Sequence, residues 1–188
     1  MMDKPRGLGS STSRQPPRRQ LPFRAVNRRG DPDFEPGVQR HHLLPRQLLS
    51  QQCFGPLFEA IGHDRIGLDD FRRNGLLLPS SGQSAVRMGL PLHRGPHRAY
   101  NRMVAERVGQ IEGMWVRVRP RSPEAALEQA LMRLSLLQRA LRRRLLGADR
   151  PRYVLNSRDP LGAGLDFAEL DAMAEALWRA TDDLVSAQ

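Results

Sequence analysis

The chain has 188 residues, which is enough for one domain of ordinary size. Although 39% of its residues are hydrophobic, no apolar run approaches the roughly 20 residues of a membrane-spanning helix, so we do not expect a membrane protein. The only cysteine, Cys53, excludes an internal disulfide and a cysteine-rich zinc site. A net charge of +10 favours a polyanionic partner, above all nucleic acid, although a GC-rich coding bias explains why Lys4 is the only lysine.

Residues 1–36 are rich in Pro, Arg, Ser and Gly and contain few apolar side chains. Such a segment buries too little surface to offset the entropy lost on folding, so we expect a disordered basic arm. Whether the arm lies along nucleic-acid phosphates or is only a solvated tail stays open. Because it lacks the apolar region of a secretory signal peptide, the expected location is the cytoplasm.

Residues 37–112 contain short apolar runs, turn residues and all five histidines. Helical pieces interrupted at Pro45 and Pro56 are expected to supply part of the core. The expected core side chains there are Leu48, Leu49, Phe54, Leu57, Phe58 and Ile61. Further along, Leu76 to Pro79 is a short apolar run that predicts a buried strand.

The stretch LDDFRRNG before this strand is interpreted as a polar turn. Asp69 and Asp70 belong to it, and this interpretation is preferred to one in which they bind a metal. His63 is expected to be a loop residue.

Three helices are predicted in the second half of the chain. Apolar residues at helical spacing predict a helix from near Pro96 to about Gly113, with His97 in its first turn. The alternating stretch MWVRVRPR then predicts a short strand. A leucine stripe predicts a helix over 123–146, and a capping pattern predicts a last helix after Asp166. Residues 113–188 would thus form a helical extension that packs on the core or on a partner subunit.

The histidines are clustered in a way that suggests a metal site. Adjacent residues on an extended segment face opposite sides, so one of His41 and His42 could bind a metal while the other acts on a water molecule. His93 and His97 have the spacing of a helical metal clip, but Gly95 and Pro96 lie between them. His97 is therefore the safer ligand. The alternative is that these histidines are ordinary polar loop residues.

Three motifs in order carry a resemblance to a known family: RHHLLP, GLDDFRRNGLLLP and HRGPHRAYN followed by an apolar helix. Together they resemble the AHH nucleases of the HNH/endonuclease VII superfamily, over roughly residues 38–108. The resemblance implies an α+β, mainly helical protein with a ββα-metal nuclease core at 37–112. The disordered arm would be residues 1–36 and the helical extension residues 113–188. Arg40 stands where the motif has alanine.

The resemblance also implies site residues. His42 looks like the general base and Asn74 like the asparagine that orients it, so both are candidate catalytic residues. His41 and His97 look like ligands of one divalent cation, Mg²⁺, Mn²⁺ or Zn²⁺, and His93 like a further ligand or a phosphate contact. The split of roles between His41 and His42 stays open.

Arginines near these histidines are candidate nucleic-acid contacts, namely Arg40, Arg94 and Arg98. A guanidinium can clamp two phosphate oxygens, although exposed arginines beside a turn are equally ordinary.

The predicted activity is metal-dependent endonuclease cleavage of nucleic acid, with DNA favoured over RNA. The resemblance further implies a bacterial toxin effector, delivered into other cells and paired with an immunity protein. The rival hypothesis is a non-catalytic nucleic-acid-binding protein with a degenerate or structural histidine site. A third is an interaction module that self-associates through its C-terminal helices.

Overall fold

A computed structural model describes residues 19–147, 153–156 and 158–161 of the chain. Within them the fold is α+β and mainly helical, as predicted. Residues 1–18 of the predicted arm and the predicted helix after Asp166 lie outside the described residues. No helix in the described part is long and apolar enough to cross a membrane.

The described part contains a two-stranded sheet and six α-helices. The strands are β1 (Val38–His42) and β2 (Gly75–Pro79). The helices are α1 (Gly55–Ile61), α2 (His63–Ile66), α3 (Phe71–Asn74), α4 (Gly82–Met88), α5 (Arg98–Val118) and α6 (Pro123–Leu146). Short 3₁₀ helices cover Phe23–Ala25, Arg46–Ser50 and Gln52–Phe54.

The sheet pairs β1 with β2 in antiparallel register, with His41 opposite Leu76 and His42 opposite Gly75. This confirms the predicted strand, which begins one residue earlier than expected. Gly75 is required by close packing, because a Cβ at this position would lie 2.2 Å from a ring carbon of Phe71. Phe71 can therefore approach the sheet edge beside His42.

The stretch MWVRVRPR is not a strand, because α5 continues through it to Val118. Trp115 is only 6% exposed and follows Ile111 by one helical turn, so it extends the buried stripe of the helix. Burial of this large ring offsets the roughly 1 kcal/mol that a glycine such as Gly113 costs inside a helix. The alternation of Val and Arg was too short a pattern to reveal this.

Helix α6 has the predicted bounds and packs on α5, with further contacts to α1 and α2. Its leucine stripe belongs to the same hydrophobic cluster as the apolar residues of the segment that contains the histidines. The fully buried stripe members are Leu134, Leu137, Leu141 and Leu145. The helix is thus part of the folded core, and it supplies Gln138 to the buried amide of Asn74.

Residues 19–36 differ from the expected disordered arm, because they make specific contacts with the core. Leu21 accepts a backbone hydrogen bond from Phe71 (2.7 Å), and Pro22 forms an isolated bridge with Asp70. The Asn27 side chain both accepts from the Glu35 amide (2.8 Å) and donates to the Glu35 carbonyl (2.9 Å). Composition predicted disorder because it measures apolar content, whereas this segment is held by hydrogen bonds.

Candidate metal centre and active site

Three histidines from two distant segments of the chain converge beside the sheet. The metal-ligating atoms of His41, His93 and His97 all lie within 4.8 Å of one another. His41 is on β1, and His97 is the residue immediately before α5. His93 is brought back to the sheet because its amide donates to the carbonyl of Pro79 at the end of β2 (2.7 Å). The ring centroids of His93 and His97 are 4.4 Å apart.

Neighbouring oxygens orient two of these imidazoles. His97 Nδ1 lies 2.9 Å from the carbonyl oxygen of Leu155, and His93 Nδ1 lies 3.3 Å from the Gln39 side-chain oxygen. Since each oxygen can only accept a hydrogen bond, Nδ1 is the nitrogen that carries hydrogen and Nε2 keeps its lone pair for a cation. This arrangement is typical of metal-ligating histidines.

His41 is the buried member of the group, at 3% exposure. Its Nε2 is buried and has no hydrogen-bond partner among the residues that the structure describes. A buried polar nitrogen without a partner is costly, and a coordinated cation would remove that cost. Burial, followed by the charges of His93 and His97, lowers the pKa of His41 to about 2.

The group fits a divalent cation. Three imidazole nitrogens within 4.8 Å of one another are a donor set that such a cation accepts, and imidazole is a common ligand of zinc. Burial and the charge of His97 also lower the pKa of His93 to about 4. His41 and His93 are therefore in the neutral form that metal binding requires.

His42 lies at the opposite side of β1 from this group and is covered by the N-terminal segment. Its ring stacks on Phe23, with centroids 3.7 Å apart and planes within 4° of parallel. Phe71 contacts Phe23 edge-on, with a centroid distance of 5.1 Å. Burial lowers the pKa of His42 to about 4, and Arg46 and Arg40 add to this effect against the opposing charge of Asp69.

Asn74 is completely buried, and the hydrogen bonds of its side chain go to backbone groups and to Gln138. Its Oδ1 accepts from the Leu44 amide (2.7 Å), while its Nδ2 donates to the carbonyls of Leu44 (3.1 Å) and Leu68 (2.9 Å). Leu44 follows His42 by two residues. Asn74 therefore positions the chain that leaves β1, and its link to the His42 ring is through the backbone.

The three candidate arginines occupy different surroundings. Arg94 and Arg98 are exposed, and each follows one of the clustered histidines in sequence. Arg40 donates to the Phe23 carbonyl (2.8 Å), so it also holds in place the residue that covers His42. Asp70, by contrast, serves structure: its carboxylate accepts from the amides of Leu21 and Arg72.

Sequence reasoning missed the residues that surround the histidines. Gln39 had a detectable signal, since it precedes His41 by two positions on a strand and therefore shares its face. Phe23 and Arg46 carried no signal, and the Leu155 carbonyl lies 58 residues from His97. His63 is an exposed residue of α2 and lies outside the cluster.

Comparison with known protein families finds a match to a nuclease family. Residues 23–135 match the model of a family described as a nuclease family of the HNH/ENDO VII superfamily with conserved AHH. The matched region covers more than half of the chain, and it extends from Phe23 into α6. No curated protein and no solved structure matches. With its paired histidines on β1 and their partners before α5, the chain belongs to the AHH family of nucleases.

Proposed function

We propose that this nuclease is a metal-dependent endonuclease that hydrolyses phosphodiester bonds, with DNA preferred to RNA. His42 would be the general base, and His41, His93 and His97 would hold one divalent cation. The observation that supports this most directly is the convergence of three imidazoles on one face of β1, with His42 on the other. The exposed Arg94 and Arg98 would contact the phosphate.

The depressed pKa of His42 keeps this candidate base in its neutral form. At neutral pH its imidazole is uncharged, so it can accept a proton from the water that attacks phosphorus. When bound, the cation supplies Lewis-acid stabilisation of the charge that develops on the phosphate oxygens. Asn74 acts at one remove, because it fixes the backbone on which His42 is carried.

The ligand set also bears on the choice of cation. The cluster consists of three imidazoles, and no carboxylate of the described residues belongs to it. Imidazole nitrogens suit Zn²⁺, whereas Mg²⁺ and Mn²⁺ favour oxygen ligands. Of the three candidate cations we therefore propose that Zn²⁺ binds most tightly.

The central test is cleavage by the purified full-length protein, first stripped of metal. We expect it to cut plasmid DNA after addition of Mg²⁺, Mn²⁺ or Zn²⁺, to cut RNA more slowly, and to be inactive in EDTA. A folded protein that cuts neither substrate with any of these cations would contradict the proposal. Binding without cleavage would then favour the non-catalytic nucleic-acid-binding protein.

Removing the cover on His42 should change the pH dependence of cleavage. In Phe23→Ala the imidazole ring of His42 should become exposed to water, so the pKa of His42 should rise from about 4 toward the ordinary 6.5. Because the base acts when neutral, the variant should lose kcat/KM as the pH falls through about 6, where the wild type keeps it. The measurement is kcat/KM against pH at saturating cation.

Phe23→Leu is the matched control, since it keeps an apolar side chain over the ring and should retain the low midpoint. Identical acidic midpoints in wild type and Phe23→Ala would show that this stacking does not set the pKa of the base.

We further propose that this nuclease is a toxin effector, which is delivered into other cells and neutralised by an immunity protein. The support is what the resemblance to AHH nucleases implies, since such nucleases often serve as toxin domains in bacterial conflict. Induced expression in a bacterial host should then arrest growth, and expression of His42→Ala should not. Normal growth with soluble wild-type protein present would contradict this role.

A further inference from the structure

We propose that a basic groove beside the histidine cluster holds a single strand of nucleic acid next to the phosphate that is cut. The inference rests on the proposed function, because the groove would deliver that strand to the same centre. The groove has a volume of about 670 Å³. It is lined by Arg24, Asn27, Arg28, Arg29, Phe34, Val38, Gln39 and Arg40.

The walls of the groove have the chemistry of a phosphate site. Half of the lining residues are arginines, and among the described residues no carboxylate lines it. Asp31 and Asp33 belong to the same loop but not to the groove. Glu35 is engaged elsewhere, because its carboxylate accepts from the Gly37 amide and pairs with Arg87 at 3.4 Å. A phosphodiester backbone in the groove would therefore meet guanidinium groups and no carboxylate in the lining.

The loop that displays these arginines has a defined conformation. Asn27 adopts a left-handed backbone conformation (φ 49°), and its side chain bonds to Glu35 and to the carbonyl of Val38 at 3.3 Å. These bonds close the loop onto the start of β1. Arg28 and Arg29 are thus carried on an ordered turn, which lowers the entropy cost of binding a strand.

Phe34 identifies the form of nucleic acid that the groove suits. It is half-buried, lies outside the hydrophobic cluster and lines the groove among arginines. An aromatic ring in a basic groove is a platform on which an unpaired base can stack. In a duplex the bases are already stacked on one another, so the combination favours a single strand.

The groove adjoins the histidine cluster at Gln39. This residue lines the groove, and its side-chain oxygen lies 3.3 Å from Nδ1 of His93. Arg40 lines the groove as well and donates to the carbonyl of Phe23, whose ring stacks on His42. A strand in the groove would therefore lie next to the proposed reaction centre.

The test compares two double variants that remove the same charge. Arg28→Gln with Arg29→Gln alters the groove. Arg117→Gln with Arg121→Gln alters two exposed arginines, one near the C-terminal end of α5 and one just after it. Arg117 is about 28 Å along the helix from Arg98 at a rise of 1.5 Å per residue. Binding of a fluorescent single-stranded DNA oligonucleotide, and of its duplex, is measured in EDTA over a range of salt concentrations.

We expect wild type to bind the single strand more tightly than the duplex. The groove variant should bind it roughly tenfold more weakly at 0.15 M salt, with the salt slope reduced by about 1.4. The far-end variant should stay close to wild type. Phe34→Leu should weaken single-strand binding at least about fivefold with an unchanged salt slope.

Equal losses in the two double variants, full binding by the groove variant, or a wild type that binds no single strand would each overturn the inference. Because binding is measured without cation, these results are independent of cleavage. A protein that passes the binding test but cuts nothing with any cation would leave the groove assigned and refute the proposed function. Cleavage with unaltered binding by the groove variant would refute the groove alone.

Discussion

His42→Ala is expected to abolish cleavage while the protein still binds its cation. The ring lies across β1 from the histidine cluster, so its loss removes the proposed base but none of the proposed ligands. Loss of a general base typically costs 10²- to 10⁴-fold in rate, roughly. His97→Ala, in contrast, should lose both cleavage and cation binding. The measurements are cleavage rate and the rise in unfolding temperature on addition of Zn²⁺.

Both variants should remain folded, since neither side chain belongs to the hydrophobic cluster. His63→Ala is the matched control, because it removes an exposed histidine outside the cluster and should behave as wild type. If His42→Ala lost the Zn²⁺ response while His41→Ala kept it, the roles of the paired histidines would have to be exchanged. Full cleavage by both His42→Ala and His97→Ala would refute the proposed centre.

Asn74→Ala should cause the largest loss of stability of any substitution near the site. The change leaves the amide of Leu44 and the carbonyls of Leu44 and Leu68 without their side-chain partner in a fully buried location. Each such group costs about 1–3 kcal/mol, so we expect a loss of about 3 kcal/mol or more in the free energy of unfolding. Chemical denaturation of the metal-free protein measures this loss.

Gln83→Ala serves as the comparison, because it removes an exposed amide and should change stability by less than about 0.5 kcal/mol. If Asn74 acts only through the backbone, cleavage by the Asn74→Ala variant should recover at low temperature in proportion to its folded fraction. A variant as stable as wild type but slow in cleavage would instead assign Asn74 a direct catalytic role.

The convergence of His93 and His97 could not be predicted from their spacing in the sequence. Their spacing suggested a helical clip, and Gly95 with Pro96 argued against one. In the structure α5 begins only after His97, and the chain between the two histidines turns at Gly95, whose φ is 79°. They converge because the backbone of His93 is tied to Pro79 on β2. The spacing of residues along the chain cannot predict that hydrogen bond.

The extent of the folded core was likewise underestimated from the sequence. Low apolar content predicted that residues up to 36 would be disordered, yet Phe23 packs against His42 and Asn27 closes a loop onto β1. A few side chains that stack or bond at the right place stabilise this segment. Average composition does not register such contacts.

By itself the sequence determined the amphipathic helix over 123–146, the buried strand over Leu76 to Pro79 and the three motifs of the family. These features follow from side-chain periodicity and turn preferences, which act over a few residues. Only the tertiary structure decided that His93 joins the cluster, that Leu155 orients His97 across 58 residues, and that Phe23 covers His42. Those contacts join segments distant in the chain, and they exist only once the common core has brought the segments together.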